Sequence, residues 1–228
     1  MFTHCDEYRW QFGEMTRLME EGTRYYKVDS AVAYPSVTSV ISFIKAEKFV
    51  EWRKKVGEEE ANKITKRATN RGTRLHKLFE DYLQNKDVKE LDEWDNLLVR
   101  SMFKGAQPHI DKRINNIYQQ ETNMYSSRLC LAGTVDLICE FDGELAIVDF
   151  KTSKQEKPEE WLEDYFVQLS AYWAMFAERT GVSAKKLVVF LVTEDGQVQI
   201  VERRNIIDYL KTLKSYVTSF LQYRDGRS

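Results

Sequence analysis

Asp136, Asp149 and Lys151 combine residue types and spacing that suit phosphodiester hydrolysis. Asp149 and Lys151 are separated by one residue, so in a strand both point to the same face. The intervening Asp142-Gly143 is a hairpin signal, and a turn there folds Asp136 back towards Asp149. Charges that converge in apolar β-structure are costly unless they are paired or bound to metal. Two carboxylates suit a hard divalent cation such as Mg²⁺, which takes oxygen ligands and retains water. The backbone carbonyl of Phe150 adds a further oxygen. Lys151 is placed to orient or deprotonate a water and to offset charge on a transition-state phosphoryl group. The competing reading is a core ion pair. The triplet alone is weak, because Asp87-Val88-Lys89 repeats it in a polar connector where no function is assigned.

The elements that must position these residues follow from the pattern around them. Residues 23–34 alternate weakly and predict a short hairpin. Pro35-Ser36-Val37-Thr38 then signals a helix start, ahead of Val40, Ile41, Ile44, Phe49 and Trp52. The segment RGTRLHKLFEDYL places Leu75, Leu78, Phe79 and Tyr82 at helical spacing. A further helical region over 90–117 carries Gly105 and Pro108, which predict a break. Residues 117–125 and 128–141 are rich in β-formers. ELAIVDFKT continues as a strand buried on both faces. Residues 158–180 are helical, with Trp161, Tyr165, Leu169, Tyr172 and Phe176 on one face and Gly181 as the stop. Two strands around Asp195-Gly196 and a helix over about 206–223 complete the chain. This is a mixed α/β (α+β) arrangement, with a β-β-β-α-β-β-α core over 117–228. A helical N-terminal arch over 35–117 covers it, within one domain spanning 1–228.

Composition limits the classes of function. The 228 residues are 43% hydrophobic and 13% aromatic, enough for a substantial core. A net charge of −2 excludes a wholly basic nucleic-acid binder but permits a local cationic groove. Cys5, Cys130 and Cys139 have no spacing for zinc or an iron–sulfur cluster. Cys130 and Cys139 fall in apolar runs and read as buried thiols in a reducing compartment. No signal, transit or membrane-spanning segment is legible, so the expected location is a bacterial or phage-infected cytoplasm.

Taken in order, these motifs resemble the PD-(D/E)xK nuclease superfamily, and within it the RecB-like exonucleases. The pieces are Pro35 to Thr38, Trp52-Arg53-Lys54-Lys55, Gly72-Thr73-Arg74-Leu75-His76, Gly133-Thr134-Val135-Asp136, Asp149 to Ser153, and Gln168 with Tyr172. The resemblance implies a restriction-endonuclease-like core. It implies that His76 joins Asp136, Asp149 and the Phe150 carbonyl as metal ligands, and that Glu121 completes the site or positions a water. Gln168 and Tyr172 share a helix face and would approach the Asp149 strand. Because neutral imidazole suits Mn²⁺ better than Mg²⁺, either ion is expected. Lys63, Arg67, Arg71 and Arg74 would form a basic stripe leading to His76, suited to a DNA backbone or, with Glu58, Glu59 and Glu60 just upstream, a solvated helix face. Contacts with DNA are also expected at Tyr34, Ser36, Thr38, Thr152 and Ser153. Tyr34, Phe43 and Trp52 could stack on bases, although the apolar periodicity favours core packing for the last two. The expected function is a metal-dependent DNA exonuclease preferring single-stranded ends, in replication, recombination, repair or host-DNA degradation. A structure-specific endonuclease or resolvase, or an inactive DNA-binding module of the same fold, stays open.

Overall fold

A computed structural model describes residues 1–8, 15–29 and 32–226. Its centre is a five-stranded sheet of β4 (Ile114–Ser126), β5 (Leu131–Phe141), β6 (Glu144–Ser153), β7 (Lys186–Thr193) and β8 (Val198–Arg203), in that spatial order. All neighbours are antiparallel except β6 and β7, which α5 (Glu163–Thr180) connects in parallel. The turn between β5 and β6 has positive φ at both Asp142 and Gly143, the backbone that a two-residue hairpin of right-handed twist requires.

Helices cover both faces. On one side, α1 (Val37–Ile44), α5 and α6 (Ile206–Asp225) bury Val40, Phe166, Tyr172, Leu213 and Phe220 against Ile138, Ile147 and Val189. On the other, α3 (Glu58–Leu83) and α4 (Leu97–Arg113) bury Leu75, Phe79, Phe103 and Ile110 against Leu137, Val148, Phe150 and Phe190. Strand β6 therefore contributes alternate residues to two cores, as a continuous apolar run in a central strand demands. The expected mixed α/β core, β-β-β-α-β-β-α, is the one observed.

The N-terminal part differs from a purely helical extension. Strands β1 (Thr16–Glu20), β2 (Thr23–Lys27) and β3 (Ala33–Pro35) form a separate antiparallel sheet ahead of the helices. The expected hairpin over 23–34 is its β2–β3 pair, whose connecting residues 30 and 31 lie outside the described residues. The helical region over 90–117 is not broken at Gly105 or Pro108: α4 runs through both. Gly105 is a packing residue, since a Cβ there would lie 2.2 Å from the Gly196 carbonyl oxygen. Trp161 is not on the apolar face of α5; it sits in a preceding 3₁₀ turn, exposed. Helix α2 (Ala46–Val56) buries no residue, so Trp52 stacks on the exposed Phe49 instead of entering the core. Cys139 is buried as expected, but Cys130 is exposed in the β4–β5 turn at positive φ. No helix among the described residues is long and apolar enough to cross a membrane.

Candidate active site

The site lies where β5 and β6 part. Their ladder ends at Leu137–Val148, so the next opposed pair would be Asp136 and Asp149. There the Phe150 N–H donates instead to Asp136 Oδ2 at 2.9 Å. A strand residue directs its N–H and C=O to the same edge, so the Phe150 carbonyl faces this gap too. The opposite edge of β5 is also irregular. Glu121 falls between the register pairs Gln120–Leu137 and Thr122–Val135, directly across from Asp136, and has φ of 45°. A non-glycine residue at such φ is strained and is held there by its surroundings.

Asp149 and Lys151 share the face of β6 turned to α5. Asp149 is 1% exposed. Its Oδ1 accepts a 2.9 Å hydrogen bond from Gln168 Nε2. Its Oδ2 is 2.6 Å from Lys151 Nζ, an ion pair without hydrogen-bond alignment. Desolvation pushes the Asp149 carboxyl above the usual range, with the Asp136 charge adding to it, while Lys151 opposes the rise. Burial alone would lower the Lys151 ammonium pKa, but the Asp149 and Asp136 charges outweigh it and raise it. Lys151 also lies 5.1 Å from the Tyr165 ring centroid, a cation–π contact. An ammonium so stabilised suits charge neutralisation better than proton abstraction. One turn beyond Gln168, Tyr172 is 2% exposed. Burial first, and then the Asp149 and Asp136 charges, raise its phenol well above its ordinary pKa, so it remains protonated.

Across the gap, His76, Glu121 and Asp136 each offer a ligand atom, and these atoms lie within 4.8 Å of one another. His76 comes from α3, where its Nδ1 is 3.7 Å from Asp136 Oδ2 and its ring meets Phe150 edge-on. The Glu121 carboxyl is pushed up to about 8, by desolvation first and then by the Asp136 and Glu80 charges, although the residue as a whole is exposed. One imidazole and two mutually repelling carboxylates are a donor set that a divalent cation would relieve. Asp149, expected as a ligand, is not within this group; its oxygens face Gln168 and Lys151 in this structure.

A family model described as the PD-(D/E)XK nuclease superfamily matches residues 49–222. The chain belongs to that superfamily. Mitochondrial genome maintenance exonuclease 1 of Homo sapiens is 29% identical over 161 residues, covering 65% of this chain and 45% of that protein. The protein of the same name from Xenopus tropicalis is 26% identical over 149 residues, covering 60% and 42%. The match thus spans less than half the length of these relatives. A solved structure of a candidate exonuclease from Eubacterium rectale aligns with TM-score 0.45 at 17% identity, covering 71% of this chain and 68% of that one.

Around this candidate site, the residues expected to contact DNA divide. Lys63, Lys66, Arg67, Asn70, Arg71 and Arg74 line one wall of a groove of about 440 Å³ between α3 and α4. Within it, Arg67 and Arg71 both pair with Glu194, and Lys63 pairs with Glu59, so the stripe is partly neutralised. Ser36 is buried, and its hydroxyl caps α1 by accepting from the Ser39 N–H at 3.0 Å. The same hydroxyl donates to Ser39 Oγ at 2.8 Å. Thr38 is half-buried, and its hydroxyl oxygen lies 3.1 Å from the Ser36 hydroxyl. Tyr34 stacks on Tyr125. Ser153 is buried, whereas Thr152 is half-buried beside α3 at Gly72. The sequence did not single out Arg17, whose Nη2 donates to Thr134 Oγ1 at 3.0 Å, or Glu80, whose charge acts on Glu121. A contact 117 positions apart in the chain leaves no periodic signal.

Proposed function

We propose that this PD-(D/E)XK nuclease is a divalent-metal-dependent DNA exonuclease that works on single-stranded ends. The observation that carries the reading is the pairing, across one opened strand edge, of two groups. One is the His76–Glu121–Asp136 cluster and the other the Asp149–Lys151 pair braced by Gln168. A bound Mg²⁺ or Mn²⁺ would polarise a phosphoryl oxygen and lower the pKa of water. His76, Glu121 and Asp136 would hold it, with Asp149 and the Phe150 carbonyl adding oxygens from the β6 side. Lys151, kept as an ammonium, would neutralise charge as it develops on the phosphorus oxygens. Gln168 keeps Asp149 oriented, and protonated Tyr172 gives the buried side of the site a hydrogen-bond donor without a charge.

Helices α1 to α3 would guide the strand as an arch, which favours ends over internal sites. Support for single strands comes from α2, whose exposed Phe49 and half-buried Trp52 stack at 5.4 Å with Arg53 over the Phe49 ring. Such rings offer faces for unpaired bases.

The test compares 5′- and 3′-labelled linear single strands, a single-stranded circle, a duplex and an RNA, in Mn²⁺ and in Mg²⁺. Linear single-stranded DNA should be shortened and the circle spared. Cleavage of the circle would establish an endonuclease instead. Undiminished activity in both Asp149→Ala and Lys151→Ala would refute the site.

A further inference from the structure

We propose that Arg17, on the small N-terminal sheet, binds a backbone phosphate of the nucleic-acid substrate at the rim of the metal cluster, on the side away from Lys151. The inference rests on the nuclease reading and adds to it a substrate-contacting residue from outside the catalytic core.

Arg17 belongs to edge strand β1 and is exposed. Its guanidinium lies 5.6 Å from the Tyr26 ring centroid and donates one hydrogen bond, at 3.0 Å, to Thr134 Oγ1. Tyr26 is 1% exposed, and its hydroxyl lies 3.2 Å from the same Thr134 oxygen. Thr134 in turn donates to Asn123 Oδ1 at 2.7 Å. The head group is thereby fixed over β5 and β4 at the register pair Asn123–Thr134. Asp136 is two residues further along β5 and Glu121 two residues back along β4. Both are about 7 Å away at strand spacing, and their carboxylates approach within 4.8 Å of each other. The Arg17 charge is near enough to oppose the rise of the Glu121 pKa.

A guanidinium has five N–H donors. Here one is used by Thr134, and no carboxylate among the described residues pairs with Arg17. A cation cannot ligate the metal, and it does not need a hydroxyl as its final partner. The geometry fits a tetrahedral anion delivered beside the carboxylate cluster, which a planar fork binds with two parallel hydrogen bonds. Lys151 lies on the α5 side of β6 and Arg17 beside Thr134 of β5, so the two cations would meet the substrate from different strands of the sheet.

The alternative is a strut that merely ties the small sheet to β5. Three variants separate the two: Arg17→Gln keeps a donor for Thr134 without charge, Arg17→Lys keeps charge without the fork, and Thr134→Val removes the anchor. Binding of a fluorescein-labelled 12-nucleotide single strand is measured in EDTA across a salt series, so that no cleavage is involved. Kinetics are measured separately in Mn²⁺. In Arg17→Gln the slope of log Kobs against log[salt] should shrink by about 0.7, the value for one phosphate of a single strand. Its kcat/KM should fall about 10- to 100-fold, chiefly through KM, with melting temperature unchanged. Arg17→Lys should restore the slope and only part of kcat/KM, and Thr134→Val should retain the slope. An unchanged slope in Arg17→Gln, or a melting temperature lowered there as much as in Thr134→Val, overturns the proposal. If the wild type binds the strand with the expected slope change but cleaves nothing, the nuclease reading fails while the phosphate site stands.

Discussion

The Tyr172 ring on α5 rests directly on the backbone of Gly133 in β5: a Cβ at 133 would lie 2.8 Å from both its Cε1 and its hydroxyl oxygen. Helix α5 touches each strand from β4 to β7, and the contact of Tyr172 with Gly133 sets how closely it approaches the opened edge. Gly133 does not have positive φ, so space alone demands glycine. Gly133→Ala should therefore displace Tyr172, and with it the neighbouring Gln168 that holds Asp149. Overpacking of this kind costs about 1–3 kcal/mol. We expect lower stability in urea and a loss of cleavage larger than the stability change explains. In a Tyr172→Ala background the alanine should cost much less. Equal costs in the two backgrounds would show that the contact does not matter.

Removing one member of the Asp149–Lys151 pair leaves a buried charge. Lys151→Met should abolish measurable cleavage while single-stranded DNA still binds, because the ammonium acts on charge that develops only during reaction. It should also destabilise the metal-free protein, by about 3–5 kcal/mol if the carboxylate stays charged, or less if it takes a proton. Adding Asp149→Asn should restore much of that stability and none of the activity. Chemical denaturation of the two variants, with matched single-turnover assays, checks both halves. Stability unchanged in Lys151→Met would mean that the pair is not held in solution.

Much of this arrangement was legible in the sequence, because it depends on short-range pattern. The period-two spacing of Asp149 and Lys151, the turn at Asp142-Gly143 and the helical spacing of Gln168 and Tyr172 each fix a face locally. What remained hidden depends on partners distant in the chain. Arg71 reads as part of an exposed cationic stripe until Glu194, brought in at the end of β7, pairs with it. Gly105 reads as a helix breaker until the Gly196 carbonyl is seen against it. Ser36 reads as part of a helix-start signal, and only the fold shows its hydroxyl accepting from the Ser39 N–H. Glu121 lies in a polar strand, and nothing local shows that β4 distorts there to bring it opposite Asp136.

The carboxylate cluster gives the metal-free protein a definite pH response. Glu121 is pushed up to about 8 and Asp149 is also raised. A carboxyl whose folded pKa exceeds its unfolded value stabilises the fold when protonated. That contribution is full below the unfolded pKa and is lost as pH rises through the folded value. These groups should therefore make the metal-free protein less stable between about pH 5 and pH 9. A divalent cation needs deprotonated ligands, so its stabilising effect should run the opposite way. The increase in melting temperature on adding Mn²⁺ should be larger at pH 8.5 than at pH 6. An increase independent of pH, or its persistence in Glu121→Gln, would place the ion elsewhere.

His76 should set the choice of metal. Imidazole nitrogen favours Mn²⁺ over Mg²⁺, and His76 is the nitrogen donor of the cluster. Wild-type cleavage should be at least as fast in Mn²⁺ as in Mg²⁺. His76→Asp should shift that preference towards Mg²⁺, and His76→Ala should raise the metal concentration needed for half-maximal activity by about 10–100-fold. Metal titrations of all three proteins measure this. An unchanged Mn²⁺ requirement in His76→Ala would remove His76 from the ligand set.

Glu194 is the residue through which the groove between α3 and α4 can be tuned. It pairs with Arg67 and with Arg71, and Arg71 is 8% exposed with its Nε lacking a hydrogen-bond partner. A phosphate entering this groove has to compete with a carboxylate already placed between the two guanidinium groups. Glu194→Ala removes that competitor and adds one unit of positive charge to the wall. Single-stranded DNA should then bind more tightly, with a salt slope steeper by about 0.7–1.4, the value for one or two additional phosphates. The same change leaves Arg71 buried without a counter-ion, so the free protein should lose about 3–5 kcal/mol of stability if no water reaches the guanidinium. Bound DNA should restore part of that loss, because an anion again fills the gap. Melting measured with and without a 12-nucleotide strand separates these effects. Weaker binding in Glu194→Ala would mean that the carboxylate holds the arginines in the form that phosphate requires. Binding unchanged in affinity and salt slope would mean that the strand follows another face of α3.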